Sequence, residues 1–196
     1  YIGDWSSDVC SSDLASLAML DEIELAELLI VPLTFAYCNL AEYLGHRGPM
    51  HHKTRFLGGI FQRHTVEHHS FFTDEAISFE SSRDYRAVLF PPILLVFFFG
   101  FFAVPVGAVL YYLVSPNVCF LFVFTAILYY LNYEIFHFSY HVDSRSWLGR
   151  MPVIRRLRRH HVVHHNKALM TRYNFNITYP ICDRLFGTYY KGRGEA

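Results

Sequence analysis

Charge is what this sequence has least of. Only 17% of its 196 residues are Asp, Glu, Lys or Arg, against about a quarter in a typical soluble domain, and the signs cancel to a net charge of zero. Nothing in this balance suggests a nucleic-acid partner, because phosphate binding draws on a basic excess. Cysteine is sparse too. Cys10, Cys38, Cys119 and Cys182 show no paired spacing, which argues against a disulfide framework or a zinc knuckle. No G-x-S-x-G, G-x-G-x-x-G or phosphate-loop motif occurs, so those hydrolase, dinucleotide and nucleotide chemistries have no foothold. Lys and Arg are missing before His46, and from Ala87 to Tyr133 no residue of either sign is charged.

That uncharged run is more than twice the roughly 20 residues that cross a bilayer as a helix. Ser115-Pro116-Asn117 is a turn signal within it, which predicts two spanning helices, about Phe90 to Val114 and Val118 to about His137. Pro91-Pro92 suits the first turn of the first helix, and Pro105 is expected to kink it. A third apolar stretch, about Leu25 to Tyr43, is interrupted by Glu27, Pro32 and Glu42 and is read as a membrane helix reaching the surface at His46. The expected fold is all-α and integral to the membrane, with about three to four transmembrane helices and a cytoplasmic helical cap. Sidedness follows from the 17 Lys and Arg, all within Arg47 to Arg86 or Arg145 to Arg193. Both regions share one face if the hairpin spans, and the positive-inside rule makes that face cytoplasmic. Residues Asp4 to Leu14, DWSSDVCSSDL, look like a translated sequencing adapter. Tyr1 to Leu14 are therefore read as an artefact, residues 15–196 as the membrane domain, and the natural N-terminus as missing.

Against these absences stand 12 His in four short clusters, none before His46. They are HRGPMHH (His46, His51, His52), HTVEHH (His64, His68, His69), HFSYH (His137, His141) and HHVVHH (His160, His161, His164, His165). A spacing of four (His64/His68, His137/His141, His161/His165) stacks two imidazoles on one helix face. Adjacent pairs point about 100° apart, so each cluster can serve two metals side by side. Gly48-Pro49 between His46 and His51 suggests a helix end that bends His51 back. Neutral imidazole suits Fe, Zn and Cu, and each metal would take about five. Ten candidates fit this pattern: His46, His51, His64, His68, His69, His137, His141, His161, His164 and His165. His52 and His160 are left over; His52 could replace His51, and His160 is expected to orient a neighbour or face the membrane interface. A non-catalytic metal-binding membrane protein remains an alternative at this point.

EYLGHRGPMH (Glu42 to His51), HTVEHH, LFPP (Leu89 to Pro92), HFSYH, HHVVHHN and NFNITYPICDRLFGTYY (Asn174 to Tyr190) together resemble the fatty acid hydroxylase superfamily, which includes sterol desaturases. The spacing and LFPP look closest to the fatty acid 2-hydroxylase branch, although the second box is H-x3-H-H where that branch commonly has H-x2-H-H. The resemblance implies a membrane-bound non-heme di-iron monooxygenase, with two iron ions (zinc on isolation being possible) and O2 as cosubstrate. Its expected substrate is a membrane lipid, most simply a fatty acyl chain, with sterol or carotenoid oxidation and desaturation as alternatives. Electrons are expected from NAD(P)H through a separate electron-transfer protein. Arg155, Arg156, Arg158 and Arg159 are a candidate dock for it or for anionic headgroups. Glu42, Glu67 and Glu134 are candidates to hold imidazole N–H groups. Asp183 is read as structural, and Phe136, Phe138 and Tyr140 either as packing or as walls of an acyl tunnel.

Overall fold

A computed structural model describes residues 23–89, 95–96 and 98–192, and among them every regular element is helical. Tyr1 to Leu14, the acidic Asp21 and Glu22, and Phe90 to Pro92 lie outside the described residues. Helix α1 (Glu27–Met50) rises to the histidine side of the molecule and ends in a widened turn, His46–Met50. A second, shorter helix, α2 (residues 58–71), carries a similar π-helical stretch at Gln62–His68. Helix α3 (Phe99–Leu113) and helix α4 (Pro116–Tyr140) form the expected hairpin. Helices α5 (Pro152–His164) and α6 (Ile181–Leu185) complete the side that holds the histidines.

Local chemistry sets these boundaries. Ser115 caps α4 by accepting the Val118 N–H at 3.1 Å, and Pro116 follows where its missing N–H is harmless, as the turn signal predicted. The same turn is tied to the base of α1, because Ser115 Oγ and Asn117 Nδ2 both donate to the Glu27 carboxylate. Pro105 sits in the first turn of regular α-helix, immediately after a π-helical segment at Phe99–Ala103. The proline has no N–H to give to the helix, and the widened turn before it accommodates that lost bond.

Two described helices, α1 and α4, are long and apolar enough to cross a bilayer, and the described part of α3 is shorter. Such helices also occur in soluble cores, but there they are buried. Here only 17% of the most apolar window of α1 and 28% of that of α4 is buried. Leu33, Leu40 and Leu44 of α1 and Phe124, Leu131 and Ile135 of α4 point outward. So large an outward apolar surface marks a face that water does not cover, as on helices packed in lipid. The protein is membrane-associated.

Candidate metal centre

Helix ends at the same level of the bundle gather ten of the twelve histidines into two buried groups. One holds His46, His51, His64, His69 and His164; the other holds His68, His137, His141, His161 and His165. Within each group the candidate ligand atoms all lie within 4.8 Å of one another. All ten residues singled out in the sequence are therefore brought together. His52 is exposed, with Nδ1 on the Arg47 carbonyl. His160 is buried rather than turned to the membrane interface: its ring stacks on Tyr189, and Nε2 lies 3.3 Å from Asp183 Oδ2.

Helix geometry decides the sorting. On the regular α4 and α5, His137/His141 and His161/His165 share a group, as a spacing of four requires. His64 and His68, with the same spacing, fall into different groups. Their segment is π-helical, and its i→i+5 bonding aligns residues five apart. His64 therefore joins His69, and His68 turns to the other group. The same device aligns His46 with His51, so the feature expected as a bend at Gly48-Pro49 is a π-turn that continues α1.

Backbone carbonyls fix which nitrogen faces inward in five of the ten rings, whereas Nδ1 of His69, His137 and His161 is buried without a hydrogen-bond partner. Nδ1 of His46, His68, His141, His164 and His165 lies against the carbonyls of Phe175 (2.5 Å), Ala87 (2.9 Å), Ile77 (2.7 Å), Tyr173 (3.0 Å) and Phe72 (2.7 Å). A carbonyl only accepts, so Nδ1 carries the proton and Nε2 presents a lone pair. Thr65 does the same for His51: its hydroxyl donates to the Met50 carbonyl and its oxygen takes the His51 Nδ1–H at 3.1 Å.

The inward nitrogens then oppose one another with no proton between them. His51 and His164 stand 2.9 Å apart at Nε2, and His68 and His165 stand 3.2 Å apart. Two lone pairs at that distance repel unless a cation lies beside both. Two imidazoles bound at about 2.0–2.1 Å and at right angles stand about 2.9 Å apart. Both groups thus fit a metal ion. The donor set, all neutral nitrogen, suits Fe, Zn or Cu.

Burial first, and repulsion from neighbouring imidazoles second, push the pKa of His51, His64, His69, His141, His161 and His165 well below the ordinary value. For His68 and His164 burial is again the leading cause, and their carbonyl partners limit the fall to about 4. The sign follows from linkage. Above the ordinary value of 6.5 the rings are neutral whether folded or not; below it, the unfolded chain takes up protons that the folded site refuses. Stability and metal retention should therefore be constant above pH 6.5 and fall progressively toward pH 4. Metal content after dialysis across that range checks this; an unchanged content at pH 5 would contradict it.

The carboxylates expected to hold imidazoles are engaged elsewhere. Glu42 accepts from the Ile177 N–H, the Thr178 N–H at 3.0 Å, Thr178 Oγ1 at 2.6 Å and Tyr129 Oη at 2.5 Å. It pins the 174–178 segment to α1, and Phe175 of that segment carries the carbonyl holding His46. Glu67 pairs with Arg63 on the surface at 2.8 Å. Glu134 accepts from Tyr130. Carbonyl groups took the expected role because loops crossing the site bring them there without burying more charge. Glu67→Ala should leave metal content unchanged and cost at most about 1 kcal/mol, as an exposed pair does; metal loss would restore its expected role.

Asp183 is the buried hub that sequence reading assigned to structure. It accepts the N–H groups of Phe175 (2.9 Å) and Asn176 (2.8 Å) and the Thr188 hydroxyl (2.7 Å). Gly187, at φ +71°, turns the chain so that the Thr188 and Tyr189 N–H groups reach the Asp183 carbonyl. Asn174 at φ 60° adds donors and acceptors to His160 and Tyr190.

An elongated cavity of about 120 Å3 lies between α1, α3 and α4 and reaches the first histidine group at His46. Tyr37, Cys38, Ala41, Glu42 and Gly45 form its α1 wall, and Phe122, Ala126, Tyr129, Tyr130 and Tyr133 its α4 wall. Phe98, Phe99, Phe102 and Ala103 close the third side. Phe136, Phe138 and Tyr140 are instead packing residues, against Tyr179, Phe79 and the Ile177 carbonyl respectively. Sequence does not mark the cavity wall, because aromatic residues cluster around His137 whereas the α4 wall is the one-sided stripe at 122, 126, 129, 130 and 133.

Fold and site define a membrane-associated helical protein with two buried all-histidine groups fitted to hold metal. A sequence model of the fatty acid hydroxylase family matches residues 31–188, and the chain belongs to that family. Family membership implies an oxidoreductase. Neither a curated protein nor a solved structure matches the chain.

Proposed function

We propose that this protein is a di-iron oxygenase that hydroxylates an acyl chain of a membrane lipid, in the manner of the fatty acid 2-hydroxylase branch. The observation that carries this reading is the meeting of two five-histidine groups with an apolar cavity inside the membrane helices. A lipid C–H bond offers no acid or base to work on, and two irons held here supply the O2-dependent oxidation it needs. The ten imidazoles are the proposed ligands. The chain's own work is to keep their inward nitrogens unprotonated, to exclude water by burial, and to present an apolar tail beside His46. A cavity lined along α1 from Tyr37 to His46 and along α4 from Phe122 to Tyr133 favours a single chain over a ring system.

The histidine side is proposed to face the cytoplasm, with three to four spans in all, because every Lys and Arg lies on that side of the sequence pattern. Electrons from NAD(P)H would arrive through a separate protein. Arg155, Arg156 and Arg159 are exposed and available as its dock. Arg158 is not, since it donates to the Val142 carbonyl and Ser78 Oγ at 2.8 Å each. Expression in membranes, with metal quantification and lipid analysis under isotopically labelled O2, tests the proposal. Two irons per chain and labelled hydroxy-acyl lipid are expected. Tightly bound zinc without turnover would make it a metal-binding protein only, and a labelled ring product would move the substrate to sterols or carotenoids.

A further inference from the structure

The cavity has a far end as well as a metal end. Its α1 wall runs from His46 down to Tyr37, nine positions away, and its α4 wall from Tyr133 down to Phe122, eleven positions away. At that depth the Tyr37 and Phe122 rings face each other across the two helices, centroids 6.0 Å apart. Phe122 is almost completely buried, at 2% exposure. Behind it α3 packs on α4 at Gly107, where a side-chain carbon would stand 3.4 Å from Val123 and 4.0 Å from the Phe122 ring, ordinary contact distances. Phe122 is thus backed by packed helix and cannot swing away cheaply. Among the polar groups in the wall, Glu42 and Tyr129 bond to each other and to Thr178, and Tyr130 donates to Glu134, so these offer a guest little polar attraction.

We propose that the Tyr37–Phe122 pair is the floor of an acyl-tail ruler, fixing how many carbons can lie between the oxidised carbon and the methyl end. This rests on the hydroxylase reading above and deepens it. At 1.5 Å per residue the walls are about 13–17 Å long. An extended chain advances about 1.2 Å per bond, as an extended backbone does. The floor therefore admits a tail of about eleven to fourteen bonds, measured from the metal end.

The test is binding plus product length on the full chain in mixed micelles. A fluorescent polyene fatty acid is displaced by saturated fatty acids of graded length, and the products of turnover are sized in parallel. Competitors whose tails fit should displace the probe, and longer ones should do so about tenfold more weakly, the penalty of overpacking against the Tyr37–Phe122 pair. Phe122→Ala should move that break by about three bonds, the depth of the ring removed. Ala126→Phe, which fills the middle of the cavity, should weaken displacement by every length. A displacement series with no break in the wild type, or a break that stays put in a metal-replete Phe122→Ala protein, overturns the ruler. A break that moves as expected without any hydroxylated product keeps the ruler and sinks the hydroxylase reading.

Discussion

His68→Ala and His164→Ala should each cost the protein about one equivalent of metal and lower product formation at least about 100-fold, whereas His52→Ala should do neither. Each of the first two removes an imidazole from a different group. Both rings are fully enclosed, and both have Nδ1 fixed by a carbonyl, so no neighbouring side chain can replace the missing nitrogen. Even partners that only orient a metal ligand cost about 10–100-fold when lost, and a ligand itself costs more. His52 is exposed and bonded to the carbonyl of Arg47. Metal quantification on the purified variants, with lipid product analysis, decides the matter. Equal metal loss in all three would dissolve the two-group assignment. Loss confined to His164→Ala would leave the second group without a role.

Asp183→Ala should destabilise the protein by about 3–5 kcal/mol, because three buried donors lose their acceptor at about 1–3 kcal/mol each, and lower the melting temperature by about 10 °C. The carboxylate accepts three hydrogen bonds at no exposure, and two of their donors are backbone groups of the segment that reaches the site. Without it the Phe175 carbonyl drifts from His46, so metal should be lost from the first group before the second. Thr188→Val removes one of these bonds and should cost only about 1 kcal/mol. Thermal unfolding with metal content measured alongside separates the cases. An Asp183→Ala protein with wild-type melting and full metal would show that the hub is dispensable.

Much of this was legible beforehand because it is written in composition and period. The uncharged run, Ser115-Pro116 and the four histidine clusters required helices that end together with imidazoles on them. Asp183 in DRLFGT read as structural, a turn or salt-bridge residue, but its part as a hub of backbone hydrogen bonds shows only in the fold. Less legible was the partition of the histidines. His64 and His68 looked like one α-helical pair, and the π-turn that separates them has no signature in residue type. The carboxylates near the clusters invited a role that carbonyls fill, because a sequence shows side chains and hides where the backbone will pass.

The residues alone therefore determined membrane helices, a ten-imidazole set and its shared level on the bundle, since spacing, charge and apolar length act locally. Only the tertiary structure decided which five rings form each group, which nitrogen six of those rings are held to turn inward, and how deep the cavity wall runs. Those depend on the backbone at Phe72, Ile77, Ala87, Tyr173 and Phe175 passing beside five of the rings with its carbonyls, and on Tyr37 meeting Phe122 across two helices.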